Sequence, residues 1–170
     1  MKKYLYVSLL IGLLFIVGCG NSIKRMEPNI TFNNIKVYVP SEYAYSPELR
    51  GLIYSENERK LFIKGDYRDR SEAIIIELLK TVMNSNFDSY VETLNNNIST
   101  VKYKKIQEEP KMYLREKYEG KSGDTIIYSY TYLTSYNNIL YSITVSGPQA
   151  KEKELNELRT TVLYSLRIDQ

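Results

Sequence analysis

The sequence contains no histidine, no tryptophan and a single cysteine, Cys19. Without histidine there is no Ser-His-Asp or Cys-His nucleophilic arrangement and no zinc site built on imidazole. One cysteine cannot form an intramolecular disulfide. It also leaves no thiol elsewhere for redox or nucleophilic work. No large surplus of one charge is present either. Lys2 and Lys3 are the only charged residues before Cys19, so 21 basic residues face 20 acidic ones beyond it. A near-neutral chain of this kind lacks the basic surplus that marks nucleic-acid binding, and no nucleic-acid partner is expected.

Familiar ligand motifs are absent as well. Gly120-Lys121-Ser122 has the ending of a phosphate-binding loop, but Arg115 stands where that loop needs glycine, and the segment lies between strands. It reads as a hairpin turn. The acids do not follow calcium-loop spacing. Asn29-Ile30-Thr31 and Asn97-Ile98-Ser99 match the glycosylation pattern by chance. No cofactor, metal ligand set or catalytic residue is expected.

What is present begins with the first nineteen residues. Lys2 and Lys3 precede an uncharged, mostly apolar run from Tyr4 to Val17, which ends at Ile16-Val17-Gly18-Cys19. A run of about 14 residues is too short for a permanent span, which needs about 20. Its order is that of a secretory signal. The tetrapeptide resembles the lipobox of bacterial lipoproteins, with Ile16 where Leu is commonest. That resemblance implies cleavage after Gly18 and a diacylglyceryl thioether on Cys19, with further acylation (palmitate or a similar chain) of the new amino group. Two or three acyl chains hold a protein stably, at about 0.8 kcal/mol per buried methylene. The expectation is residues 1–18 as signal peptide, 19–29 as lipidated tether and 30–170 as one globular domain in the cell envelope. The membrane is then a partner through the lipid. The resemblance further implies, by the sorting rule of such lipoproteins, that Gly20, which is not acidic, directs the protein to the outer membrane if the cell has two.

Beyond the tether, strand-period segments dominate. Ile30–Phe32 and Ile35–Val39 alternate around an Asn33-Asn34 turn and stop at Pro40. Leu52–Tyr54 and Leu61–Ile63 flank a polar stretch, Ser55 to Lys60, that suits a hairpin connection. Residues 72–83 fit either a helical face or a buried strand, and three successive isoleucines favour a strand over 72–79. Ser85 to Asp88 has capping-box spacing, and Phe87, Val91, Leu94 and Ile98 then share a helical face. Asn95-Asn96-Asn97 makes a helix end. Met112, Leu114 and Tyr118 alternate with charged residues, and Glu119 to Asp124 reads as a turn. Ile126–Leu133 and Ile139–Val145 read as strands around Tyr136-Asn137-Asn138. Gly147-Pro148 ends the second. Leu155, Leu158 and Val162 form the stripe of a last helix. Ser165–Ile168 reads as a closing strand or a helix tail.

This pattern predicts an α+β domain: an antiparallel sheet of about six to eight strands with two helices. Ile35 to Pro40 and the ending from Tyr141 to Ile168 give it an order that resembles the PsbP/Mog1/DcrB-like group. That group includes envelope lipoproteins and partner-binding modules, and the resemblance implies no shared active site.

The 17 tyrosines are the most unusual feature. Tyr128, Tyr130 and Tyr132 share one face of a strand, with Ile127, Ser129, Thr131 and Leu133 on the other. Exposed, the three would form a recognition face; packed inward, they would be core. The expected function is a non-enzymatic, lipid-anchored envelope module that binds a protein or glycan. Glu108-Glu109 and Asp66 with Asp69 leave open a carboxylate-dependent hydrolase acting on envelope polymers, and a phage- or immunity-type surface lipoprotein is a third possibility.

Overall fold

The computed structural model describes residues 26–47, 58–98 and 100–169. The strand-period segments of this chain become β1 (Ile30–Phe32), β2 (Ile35–Val37), β3 (Ala44–Tyr45), β4 (Glu58–Lys64) and β5 (Ile74–Val82). Helix α1 (Phe87–Asn97) follows, then β6 (Lys104–Glu108), β7 (Lys111–Ser122), β8 (Thr125–Tyr136) and β9 (Ile139–Pro148). Helix α2 (Glu152–Ser165) and β10 (Arg167–Ile168) close the order.

Seven strands form one antiparallel sheet in the order β3-β4-β5-β9-β8-β7-β6. This is the expected α+β architecture, with one change. β1, β2 and β10 stand apart as a second, three-stranded sheet. Arg167 and Ile168 pair with Lys36 and Ile35, so the final segment is a closing strand.

β5 is a strand because it is paired on both edges, with β4 and with β9. Ile74, Ile76 and Leu78 face one side and Ile75 the other, all buried. Burial on both faces produces a continuous apolar run, which also fits a helical face by periodicity alone. α1 starts one residue later than the spacing predicts. Asn86 rather than Ser85 is the N-cap, and its side chain accepts the Ser89 N–H at 2.9 Å, satisfying a free first-turn donor. α2 has Glu152 and Glu154 in its first turn, a favourable placement against the helix dipole.

Several expected boundaries move. Glu58 to Lys60 belong to β4 rather than to a hairpin connection, and Leu52–Tyr54 lie outside the described residues. The turn of Glu119 to Asp124 shrinks to Gly123 and Asp124, because Glu119 to Ser122 pair with β8. Gly147 and Pro148 remain in β9 and pair with Tyr128 and Ile127.

The two faces of the large sheet have different roles. One packs against α2 and the small sheet in the main core, which includes Phe32, Ile35, Ile76, Tyr141, Ile143 and Leu155. Among the described residues, the other face is covered in two places. Leu61, Ile63, Ala73 and Ile75 pack with Tyr67, and α1 places Phe87 and Val91 over Leu133, Leu140 and Met83. Between these two apolar patches the sheet carries a polar strip.

Candidate recognition site

Tyr128, Tyr130 and Tyr132 point into the main core, with 4%, 3% and 1% of their surface exposed. Of the two arrangements the sequence leaves open, these tyrosines take the core one, and the possible recognition face on them is corrected. Their cross-strand neighbours on β9 are Gly147, Val145 and Ile143, themselves buried under α2. Cations lie over two of the three rings. Lys117 Nζ lies 4.3 Å from the Tyr128 ring centre and the Arg159 guanidinium 4.7 Å from that of Tyr130. Burial pushes the Tyr130 and Tyr132 phenols above their ordinary range. Cys19 lies outside the described residues.

The opposite face of β8 and β9 carries the candidate site. Cross-strand register builds it in two rows. Glu77, Thr144, Thr131 and Arg115 form one, and Ile75, Ser146, Ser129 and Tyr118 the next. The Thr131 and Thr144 hydroxyls are hydrogen-bonded at 3.1 Å. At about 4.8 Å per strand, Glu77 and Arg115 stand about 14 Å apart across a floor of hydroxyl side chains. The Glu77 carboxylate is paired with Arg59.

Arg115 forms the other wall. A β-bulge lies between Arg115 and Tyr118. The extra residue puts two side chains three positions apart onto the same face, and the Arg115 guanidinium sits 4.3 Å from the Tyr118 ring centre. A strict alternation would have left Tyr118 on the face of Met112 and Leu114. Tyr103 approaches from the other side of β7's edge, 5.6 Å from the guanidinium. Its backbone is clamped to α1 by Asn95, whose side chain donates to the Tyr103 carbonyl at 3.0 Å and accepts the Tyr103 N–H at 2.7 Å. Burial raises the Tyr103 phenol, and the Arg115 charge pulls it partly back.

Arg115 Nε is buried without an acceptor. Buried Arg59 Nε differs, because it touches the Glu77 carboxylate. A cation over a ring gains about 0.5–2 kcal/mol. Each hydrogen bond to a charged group is worth about 1.5–3 kcal/mol. The tyrosine rings therefore do not replace the acceptor that Nε loses on burial.

No family model and no curated protein matches the chain. Solved structures do, through their backbone. The solution structure of CyanoP, the PsbP of Synechocystis sp. PCC 6803, covers 89% of this chain and 97% of its own length at TM-score 0.57 and 13% identity. The fold is PsbP-like. The same PsbP-like fold matches LpqN of Mycobacterium tuberculosis, a protein involved in cell envelope biogenesis. That match has TM-score 0.53 and 9% identity, over 80% of this chain and 83% of LpqN. A protein of Bacteroides thetaiotaomicron VPI-5482 matches at TM-score 0.52 and 14% identity over 86% of this chain. The chain spans about half of that protein, 49%. Identities this low establish the PsbP-like fold alone.

The acids singled out for hydrolytic chemistry are exposed. Asp66 and Asp69 lie in the loop after β4 and accept local hydrogen bonds, from Arg68 at 2.9 Å and from the Ser71 hydroxyl at 2.6 Å. Glu108 and Glu109 stand exposed at the tip of the β6–β7 hairpin, where Glu108 pairs with Lys105 at 3.2 Å. Among the described residues, no group of three or more acidic side chains could hold a metal ion, and no helix is long and apolar enough to cross a membrane.

Proposed function

We propose that this chain is an exported, lipid-anchored module of a bacterial cell envelope that binds a partner and carries no catalytic centre. Cys19 is the lipid attachment point, residues 20–29 are the tether, and the PsbP-like domain presents the polar strip. The membrane is engaged through the lipid, and the partner is an envelope glycan or protein. The lipobox-like Ile16-Val17-Gly18-Cys19 supports the anchor. The fold likeness to LpqN, an envelope-biogenesis protein, is compatible with the same setting.

The observation that carries the binding reading is Arg115, a half-buried cation without an acceptor on a face lined by Ser129, Thr131, Thr144 and Ser146. The exposed, separated acids give the hydrolase reading no support. Two measurements test the proposal. Cys19→Ser should abolish incorporation of an alkyne fatty acid, and equal labelling of the variant overturns the anchor. A photo-crosslinking residue at Ser146 should give a discrete adduct in intact cells, and one at Lys153 on α2 should not. No adduct at Ser146, or the same adducts from both positions, overturns the binding face.

A further inference from the structure

We infer that Arg115 anchors an oxyanion-binding site, which takes a carboxylate or phosphate group against its guanidinium beside the Thr131 and Ser129 hydroxyls. This inference rests on reading the polar strip as a recognition surface and names the chemistry of what it recognises. Eight ion pairs involve the described residues, and Arg115 belongs to none of them. Among the half-buried arginines, Arg59 has Glu77, Arg159 Nε has Asn156 Oδ1 at 2.9 Å and Arg167 has two backbone carbonyls, while Arg70 lies over the Tyr67 ring without a buried, acceptor-free Nε. Arg115 Nε has none.

The surroundings fit an anion. Tyr103 and Tyr118 contact the guanidinium through their rings, so the guanidinium is held in place without an acceptor being supplied. The bulge in β7 and the Asn95 clamp fix those two tyrosines. Arginine in such a setting is a preorganised fork whose planar donors match the oxygens of a carboxylate or phosphate. Ser129 lies directly across from Tyr118, so its hydroxyl is placed to complete the oxygens' hydrogen bonds, while Thr131, across from Arg115, is already bonded to Thr144 and forms the floor beside them.

The test uses the full chain, isotope-labelled for NMR in a non-ionic detergent. Sodium acetate and inorganic phosphate are titrated separately at constant ionic strength against chloride. The backbone amide signals of Ser129 and Thr131 should move and saturate with at least one of the two anions. Phosphate alone identifies a phosphate site, acetate alone a carboxylate site, and both a general oxyanion site. Arg115→Lys keeps the charge but loses the fork, and should weaken binding about tenfold, as for one lost charge-assisted hydrogen bond. If Arg115→Lys loses its dispersed spectrum, Tyr118→Leu serves instead and should weaken binding while leaving the arginine in place. No saturable shift with either anion overturns the inference, as does undiminished binding in the folded variant. If that happens while the Ser146 crosslink persists, the anion site falls and the recognition face stands. Anion binding without a crosslink has the opposite meaning.

Discussion

The hydroxyl of Ser165, the last residue of α2, accepts the backbone N–H of Tyr38 at 2.8 Å and donates to the Val162 carbonyl at 2.8 Å. It joins the residue that follows β2 to the helix that nearly closes the domain. Ser165 is fully buried, so Ser165→Ala leaves the Tyr38 N–H without an acceptor. A buried unsatisfied group costs about 1–3 kcal/mol. The expected result is a lower urea midpoint at unchanged slope, with faster hydrogen exchange at Tyr38. Unchanged exchange there would mean that the Ser165 bond does not protect the Tyr38 amide.

The tyrosine row of β8 makes a second prediction. Truncating a buried aromatic costs about 3–5 kcal/mol, so Tyr130→Ala should lower the denaturation midpoint severely. Tyr132→Phe should cost far less, because the Tyr132 hydroxyl reaches the Arg159 carbonyl only at 3.5 Å, the limit of a hydrogen bond. A stable Tyr130→Ala protein would return these tyrosines to the surface.

Local pattern was enough where each residue's face was set by its own neighbours. The three isoleucines of β5, the Asn33-Asn34 turn and the Leu155, Leu158 and Val162 stripe all read correctly. Asn33, Asn137 and Asn138 have positive φ, at 52°, 50° and 59°, which asparagine tolerates better than most residues. β6 was not legible. Lys104 to Glu108 are all exposed at the sheet edge, so they carry no apolar alternation, and lysine with a bulge is how an edge strand avoids foreign pairing. The site was illegible for a related reason. A one-residue bulge reverses the alternation within β7, so the period that placed Met112 and Leu114 misplaced Tyr118. The consecutive charges Glu116 and Lys117 were the one signal of that break. Tyr103 joins the site through Asn95, a side-chain clamp with no sequence period.

Gly147 lies where β9 passes beneath α2. A Cβ there would come within 3.1 Å of both Ile74 Cγ1 and Leu155 Cδ2. Both neighbours belong to the main core, and each would have to shift by a few tenths of an ångström. Forcing an extra carbon into such a core costs about 1–3 kcal/mol. Gly147→Ala should therefore destabilise the domain although alanine is the better strand former. Gly120→Ala is the control, since its added carbon would meet only Tyr118 at an ordinary 3.7 Å. Equal stability of the two variants would show that α2 moves freely over β9.

The last prediction concerns the pH limits of the junction between α1 and β7. Asp88 accepts from Lys111 Nζ at 2.7 Å and from the Tyr113 hydroxyl at 2.6 Å. The Lys111 bond, and after it the Tyr113 bond, hold the Asp88 carboxyl below its ordinary range. Folding thus favours the ionised form. That contribution is present above the ordinary carboxylate pKa, about 3.9, and is lost as pH falls through the lower folded value. Tyr113 behaves oppositely at the alkaline end. Burial, and then the bond to Asp88, push its phenol up from 10.0 to about 12, so its contribution is present below pH 10 and lost as pH rises through 12. Carbon-detected NMR of the carboxyl should give Asp88 a depressed midpoint, and Tyr113→Phe or Lys111→Met should each raise it. Asp88→Asn should in turn lower the Tyr113 midpoint in an ultraviolet phenolate titration, though not to the ordinary value, because burial remains. An Asp88 midpoint indifferent to both variants would separate the three side chains in solution and leave α1 attached by its apolar face and the Asn95–Tyr103 clamp.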